Sequence, residues 1–336
     1  MGKRTILVTG ATGFIGSELV LTLVKQGYPV VAQTSNSASS DIITCLKALP
    51  NVTVTQSDLG NLSGPKYNIG RLIKSFQVAA VFHCAAISSA ERCENDRALA
   101  QQINVNATDL LTKSCESHKI PIFFLSTDMV FADPPTPPHI RYIEQDPPNP
   151  KGVYPETKRQ AEIIVLSYSQ GYVLRIALTL GLAELAPKRG VLAGMLQVLE
   201  AAHRQRAAQD IIEQLSYLEA FIDEWRTPIS LSQLMDSCLA LVELSEISRP
   251  PRILNMAGRD KLSRYEIAVI VANHFGYPKE LVKPVERNSY SGAFHRPVDC
   301  ALSGELTQKV LGVPCISLKE GLKNSNLKIY HVSHKS

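Results

Sequence analysis

No apolar stretch in these 336 residues approaches the roughly 20 that a helix needs to cross a bilayer. Neither sign of charge is in excess: 35 Lys and Arg stand against 31 Asp and Glu, a net +4. The basic residues are scattered along the chain and form no stripe, which argues against a nucleic-acid partner. The seven cysteines (Cys45, Cys84, Cys93, Cys115, Cys238, Cys300, Cys315) include no Cys-x-x-Cys pair. Their odd number and wide spacing argue against a disulfide framework or a zinc site and suit a reducing compartment. A secretory leader has no room ahead of the first strand-like segment. Met1-Gly2 is followed by Ile6 where a myristoylation motif requires Ser or Thr. No internal repeat is visible. These absences set the expectation of a soluble cytoplasmic protein with no metal, no nucleic acid and no membrane as partner, and they leave room for a homodimer.

What is present is ordinary for an enzyme, with 45% apolar and 20% charged residues. The length suits one large α/β domain, or a dinucleotide-binding domain with a smaller second lobe. Thr5 to Gly16 organises the rest. A β-branched apolar run stops at a turn with Gly10, Gly13 and Gly16 spaced three apart, and an apolar-periodic segment begins at Phe14 and Ile15. This reads as a buried parallel strand, a tight turn and a helix start. The first glycine can take the positive φ of the turn, and the second lets backbone approach a pyrophosphate. The third lets the helix pack closely on the strand. The helix N-terminus offers N–H groups and a positive dipole end to the phosphates.

The second strand, Val30 to Thr34, ends in Gln33-Thr34-Ser35-Asn36, with no charge before Asp41. A carboxylate there would bind the ribose diol of NAD; its absence, together with the hydroxyls of Thr34 and Ser35, leans towards NADP, with NAD still open. A third strand, Val52 to Thr55, ends at Ser57-Asp58-Leu59, where Asp58 can accept from an adenine amino group. Ala79 to Ala86 reads as a fourth strand whose small end, Cys84-Ala85-Ala86, lets backbone lie against a ribose. His83 beside Cys84 reads as a core histidine, because neighbouring strand residues point to opposite faces. Ala100 to His118 reads as one helix; Asn104 and Asn106 inside it are mildly unfavourable there, so one of them has a task or both face solvent. The fifth strand, Ile122 to Leu125, runs into Ser126-Thr127-Asp128. Residues 133 to 150 hold seven prolines, at 134, 135, 137, 138, 147, 148 and 150, and read as a long surface loop. A helix from Tyr154 to about Tyr168 and a sixth strand from Tyr172 to Leu178 follow.

Strand and helix alternate through residue 181, which predicts a doubly wound parallel sheet of Rossmann type for residues 1–181. Residues 182–330 read as a smaller, discontinuous substrate lobe over the C-terminal edge of the sheet, with some segments returning to the first domain. Within that part, 190 to 220 reads as helix throughout.

Tyr154 and Lys158 stand four apart on one helix, so both lie on one face. A tyrosine with an unperturbed pKa of about 10 is a poor acid, and a neighbouring ammonium is expected to lower that value. Thr127 can hold a carbonyl oxygen against the tyrosine, and Lys158 can also bond the nicotinamide ribose. Together they form a proton donor for a ketone, or a base for an alcohol.

With these residues in order, the chain resembles the extended short-chain dehydrogenase/reductases. Thr9-Gly10-Ala11-Thr12-Gly13-Phe14-Ile15-Gly16 is similar to their nucleotide fingerprint, Tyr154 with Lys158 to their catalytic pair, and Thr127 to their catalytic Ser or Thr. Ser126-Thr127-Asp128-Met129-Val130-Phe131, Tyr142-x-Glu144-x-Asp146, Arg226-Thr227-Pro228 and Arg296-Pro297 look most like the dTDP-4-dehydrorhamnose reductases. A regulatory relative, the β subunit of methionine adenosyltransferase, is similar in the same places. The resemblance implies cofactor contacts from Gly10, Thr12, Gly13, Phe14, Ile15, Gly16, Thr34, Ser35, Asp58, Leu59, Cys84, Ala85, Ala86, Asn104 and Lys158. It implies substrate contacts from Ser88, Asp128, Met129, Arg226 and Arg296. The chain departs from the family at Leu178-Thr179-Leu180-Gly181, where sugar-nucleotide enzymes commonly place an aromatic residue before this glycine. Three readings stand side by side. The first is an NAD(P)H-dependent reductase of a carbonyl, such as the 4-keto group of a nucleotide-linked deoxysugar. The others are a nucleotide-sugar epimerase or dehydratase, and a non-catalytic, NADP-binding regulatory subunit.

Overall fold

The computed structural model describes residues 2–59, 69–134, 141–207, 216–289, 291–292 and 295–324. Strand β1 (Thr5–Thr9), helix α1 (Phe14–Lys25), β2 (Val30–Thr34), α2 (Ser40–Ala48), β3 (Val52–Gln56), α3 (Ile69–Ser75) and β4 (Val78–His83) form the first half-sheet. Helices α4 (Ala90–Asn95), α5 (Arg97–Gln101) and α6 (Ala107–His118) precede β5 (Ile122–Thr127), α7 (Val153–Ser167) and β6 (Gly171–Ile176). The remainder comprises β7 (Thr179–Leu180), α8 (Val191–Ala207), β8 (Leu218–Phe221), β9 (Trp225–Arg226), β10 (Ile229–Ser230), α9 (Leu231–Ile247) and β11 (Ile253–Met256). After these come β12 (Leu262–Ser263), α10 (Arg264–His274), β13 (Val282–Val285), α11 (Glu305–Leu311) and α12 (Leu318–Asn324).

Seven strands form one sheet in the order β11-β6-β5-β4-β1-β2-β3, and every pairing in it is parallel. The doubly wound expectation is met. Parallel strands covered on both faces are apolar throughout, and β1 illustrates why. Ile6 and Val8 pack on one face with Leu19 and Leu23 of α1 and Leu234 and Leu241 of α9. Leu7, between them, packs on the other face with Ile73, Leu111, Phe124 and Val165. The sheet reverses its order between β1 and β4, so the C-terminal ends of these strands open a crevice where open α/β sheets receive ligands. A separate apolar cluster joins α8, β8, α10, β13 and α12, with Leu196, Leu199, Ile267, Val271 and Leu322 at its centre. Among the described residues no helix is long and apolar enough to cross a membrane.

Four expectations need correction. The fourth strand stops at His83, the last residue paired with both β1 and β5, so Cys84 to Ala86 are loop. The sixth strand likewise stops at Ile176, two residues before the predicted Leu178. The predicted helix over 100–118 starts at Arg97 and carries one π-helical turn, Gln102–Asn106. In the segment read as helix to residue 220, Val191–Ala207 is helix, and Leu218–Phe221 is instead a strand paired in parallel with β13. A strand whose partner lies far along the chain is invisible to local propensity, and tertiary pairing overrides the helix-favouring composition there. Residues 208–215 of that segment, and prolines 135, 137 and 138 of the proline-rich loop, lie outside the described residues.

Candidate active site

The glycine turn follows β1 directly. Gly10 has φ +65, and a Cβ there would lie 2.8 Å from Ala85 backbone atoms. Gly13 caps α1 with extended backbone and no side-chain hydrogen bond to the helix N-terminus. The N-cap residue therefore supplies no side-chain acceptor to the first-turn N–H groups of α1. Phe14 and Ile15 are half-buried, Thr12 and Gly16 buried, and Gly190 of the C-terminal part approaches the Phe14 ring so closely that a Cβ would come within 2.9 Å.

Gln33 has a role that the sequence did not reveal. Its Oε1 accepts from the Gly10 N–H at 3.3 Å, and its Nε2 donates to the Thr34 carbonyl (3.0 Å) and the Ser57 carbonyl (2.8 Å). It thus ties the glycine turn to the ends of β2 and β3. Thr34 is fully buried, and its hydroxyl has no partner among the described residues. Ser35 is half-buried and its hydroxyl meets that of Ser37 at 3.3 Å. Asp58 is exposed and Leu59 buried, at the end of β3.

On the other side of the crevice, Cys84, Ala85 and Ala86 are half-buried. His83 sits beneath them, its ring nitrogens 2.7 Å from the Thr9 hydroxyl and 3.0 Å from the Thr108 hydroxyl. Burial, aided by the Lys158 charge, pushes its pKa down to about 3. Asn104 is buried behind this loop. Its carboxamide accepts from the Ile87 N–H (2.8 Å) and donates to the Ile87 carbonyl (3.2 Å) and the Thr157 hydroxyl (3.1 Å). It is a buttress between the loop after β4 and helix α7.

Thr127, Tyr154 and Lys158 come together where β5 ends against α7, and all three are buried. The Thr127 side chain stands close enough to Tyr154 to act on its pKa, and its hydroxyl donates to Asp128 Oδ1 (3.2 Å) and accepts from the Met129 N–H (3.2 Å). Lys158 Nζ donates to the Leu125 carbonyl at 2.6 Å and stands 3.9 Å from the centre of the Phe124 ring. The expected lowering of the tyrosine pKa by Lys158 is not found. Burial raises the Tyr154 pKa, the nearby Thr127 hydroxyl only partly opposes the rise, and Asp128 and Cys93 add to it. Tyr154 is therefore a protonated donor at neutral pH. Burial also lowers Lys158 to about 7, against the opposing pull of Glu162 and the cysteines Cys84 and Cys93.

Ser88, Asp128, Met129, Arg226 and Arg296 line one cavity of about 220 Å³ beside this site, together with Leu178, Glu224 and Arg264. Glu224 gathers three guanidinium groups: Arg226 at 3.0 Å, Arg296 at 2.8 Å and Arg264 at 3.9 Å. Burial works to raise its pKa, but the three arginines outweigh burial and hold its carboxyl below the usual range. Burial raises Asp128, although Arg226 lies 3.5 Å away. Three cations against two carboxylates, one of them raised, make a cavity suited to an anion. Glu224 and Arg264 were missed in the sequence because neither belongs to a local motif; the capping box of Ser263 and Glu266 that starts α10 was the one available sign that Arg264 opens a helix.

Methionine adenosyltransferase 2 subunit beta from Bos taurus is 27% identical over 309 residues, spanning 89% of this chain and 81% of that protein. Among solved structures, dTDP-4-dehydrorhamnose reductase from Bacillus anthracis, in complex with NADP, superposes with a TM-score of 0.75 at 18% identity, covering 97% of this chain and 99% of that one. UDP-glucuronic acid 4-epimerase from Bacillus cereus, in complex with UDP-glucuronic acid and NAD, gives 0.76 at 19% identity, covering 98% and 100%. At such identities these structures share the fold. Residues 4–330 match the sequence profile of the RmlD substrate binding domain, and the chain belongs to that family, a branch of the extended short-chain dehydrogenase/reductases.

Proposed function

We propose that this protein is an NAD(P)H-dependent reductase that acts on a carbonyl, the 4-keto group of a nucleotide-linked deoxysugar. The observation that carries the reading is Tyr154, buried beside Thr127 on the face of α7 that meets the C-terminal end of β5. The turn before α1 fits a dinucleotide: a Cβ at Gly10 or Gly16 would strike backbone, and the helix N-terminus lacks a side-chain cap. Gly10 to Gly16 would hold the pyrophosphate, Asp58 and Leu59 the adenine, Cys84 to Ala86 a ribose and Lys158 the nicotinamide ribose. When bound, the reduced cofactor supplies a hydride to the carbonyl carbon. The chain does the rest. The Thr127 hydroxyl holds the carbonyl oxygen, and Tyr154 gives its proton to that oxygen as charge develops there.

Arg226, Arg264 and Arg296 suit the diphosphate of a nucleotide sugar, and residues from 182 onward form most of the substrate lobe. The ligands named for two structural relatives, NADP in one and UDP-glucuronic acid with NAD in the other, support this class of cofactor and substrate. The uncharged end of β2 favours NADP. Loss of NADPH absorbance with a preformed 4-keto-6-deoxy sugar nucleotide tests the reading; no loss with any ketosugar would sink it. A second reading rests on the 27% identity to a methionine adenosyltransferase subunit: a non-catalytic NADP-binding subunit. Copurification with a catalytic partner, together with silence towards ketosugars, would favour it.

A further inference from the structure

Three consecutive residues at the end of β5 each engage one residue of α7. Leu125 accepts from Lys158, Ser126 donates to Glu162, and Thr127 lies beside Tyr154. The helix residues stand four apart, so they form one row facing the strand. Two members of the row belong to the proposed chemistry. The third, Glu162, does not.

Glu162 is wholly buried. Its Oε1 accepts from the Ser126 hydroxyl at 2.6 Å and from Arg175 Nε at 3.1 Å; its Oε2 accepts from Arg175 Nη2 at 3.1 Å and Arg159 Nη1 at 2.9 Å. Four donors aimed at one carboxyl require it to be ionised, because only the carboxylate accepts at every site. Arg175 is itself buried, donates to the Glu144 carbonyl at 3.2 Å and lies 5.1 Å from the Phe131 ring centre. The carboxylate is therefore fixed from β5, β6 and its own helix at once.

We propose that Glu162 is a positioning residue for the Tyr154–Lys158 pair: anchored by Ser126 and Arg175, it sets the register of α7 against β5 and places a buried negative charge one helical turn from Lys158 on the same face of α7. The inference rests on the reductase reading for its effect on turnover, but not for its effect on Lys158. The charged and titratable groups that interact with Lys158 are Glu162 from α7, His83 at the end of β4, Cys84 after it, and Cys93 from α4. Among those acting on the Lys158 charge, Glu162 is the largest opponent of burial, and the lysine stands at about 7 with Glu162 in place.

The test is the titration of Lys158 in the full chain labelled with 13Cε-lysine. The Lys158 signal is identified by its loss in Lys158→Met. Glu162→Gln keeps an acceptor for Ser126 and removes the charge. Since an opposite charge at close range is worth about one pKa unit or more, the Lys158 midpoint should drop by at least that much. Removing one partner of a buried pair leaves Arg175 uncompensated and can unfold the protein. Glu162→Gln/Arg175→Gln removes both charges and serves as the second variant. Glu162→Asp keeps the charge and should leave the midpoint close to wild type. With a ketosugar, the alkaline limb of kcat should move down in the first two variants with KM little changed. An unmoved Lys158 midpoint in a folded charge-removing variant overturns the proposal. A moved midpoint in a protein with no reductase activity overturns the proposed function and leaves the role of Glu162 towards Lys158 standing.

Discussion

Gly16 faces the carbonyl of Gly10 so closely that a Cβ on Gly16 would lie 2.3 Å from that oxygen. Strand, turn and helix are locked at a distance that only a hydrogen permits, and the same closeness aims the first N–H groups of α1 into the crevice. Gly16→Ala should therefore weaken NADPH binding tenfold or more, about 1.4 kcal/mol, by pushing helix and turn apart. Isothermal titration on a variant shown to melt cooperatively decides it; an unchanged affinity would remove the turn from the cofactor site.

Cofactor choice should follow the end of β2. NADPH is expected to bind at least as tightly as NADH, because no carboxylate stands there to repel a 2′-phosphate. The position to alter is Ser35, which is half-buried; an aspartate at Thr34 would instead bury an unpaired charge. Ser35→Asp should shift preference towards NADH. A wild-type preference for NADH of tenfold or more would contradict this.

Tyr154→Phe should lower kcat by a factor of about 10² to 10⁴, the range for a lost general acid, and leave NADPH affinity nearly intact. Lys158→Met should damage both. Lys158 is lowered to about 7 by burial, so its charge is present below that pH and lost above it. Turnover should accordingly fall as pH rises through about 7. A flat alkaline profile would mean that the ammonium is not needed, and high activity in Tyr154→Phe would point to another acid, Asp128 first.

His83 allows a prediction about stability alone. Burial, with the Lys158 charge second, holds it at about 3, against an ordinary value of 6.5. Above 6.5 the imidazole is neutral in folded and unfolded chains alike. Below 6.5 the unfolded chain takes up a proton that the folded chain refuses, and stability falls by about 1.4 kcal/mol per pH unit from this group. His83→Gln removes the term. In urea unfolding, the stability advantage of wild type over His83→Gln should shrink at that rate as pH drops from 6.5 towards 4.5. A constant advantage would show that His83 is protonated in the fold.

The parts of this molecule that were legible in its sequence are those whose physics is local. The apolar run into Gly10-x-x-Gly13-x-x-Gly16 carries its own strand, turn and helix start, and the alternation up to Ile176 follows from strand and helix periodicity. Tyr154 and Lys158 were legible because four residues is one helical turn. What escaped depends on contacts made across the chain. The side chain of Gln33 reads as a loop polar residue until the end of β3 is placed beside it. Leu218–Phe221 is a strand only because Val282–Val285 lies alongside. Glu224 and Arg264 acquire meaning when β9 and the start of α10 meet, and the burial of Thr34 depends on the strands beside it. The expected effect of Lys158 on Tyr154 failed for a similar reason: spacing places two residues on one face, but the Leu125 carbonyl, unseen in the pattern, takes the ammonium.

The choice between reduction and dehydration turns on Asp128 and Met129. Both line the anion-suited cavity, and both follow Thr127 directly. Elimination of water from a hexose nucleotide needs one group to protonate the departing hydroxyl and another to remove a proton α to the transient ketone. The dehydratases that the chain resembles place Asp then Glu after the threonine. Here Asp128, raised by burial, can hold a proton, but the thioether of Met129 can neither give nor take one. Hydride transfer to a ketone asks nothing of position 129, because Tyr154 supplies the single proton. The protein should therefore form no 4-keto-6-deoxy product from dTDP-glucose or its GDP and UDP counterparts, and should oxidise NADPH when given a preformed 4-keto-6-deoxy sugar nucleotide. Met129→Glu, which restores the second acid, should bring a trace of dehydration without abolishing reduction. Mass spectrometry of the products decides the matter: water lost from a hexose nucleotide by the wild-type protein would overturn the reductase reading.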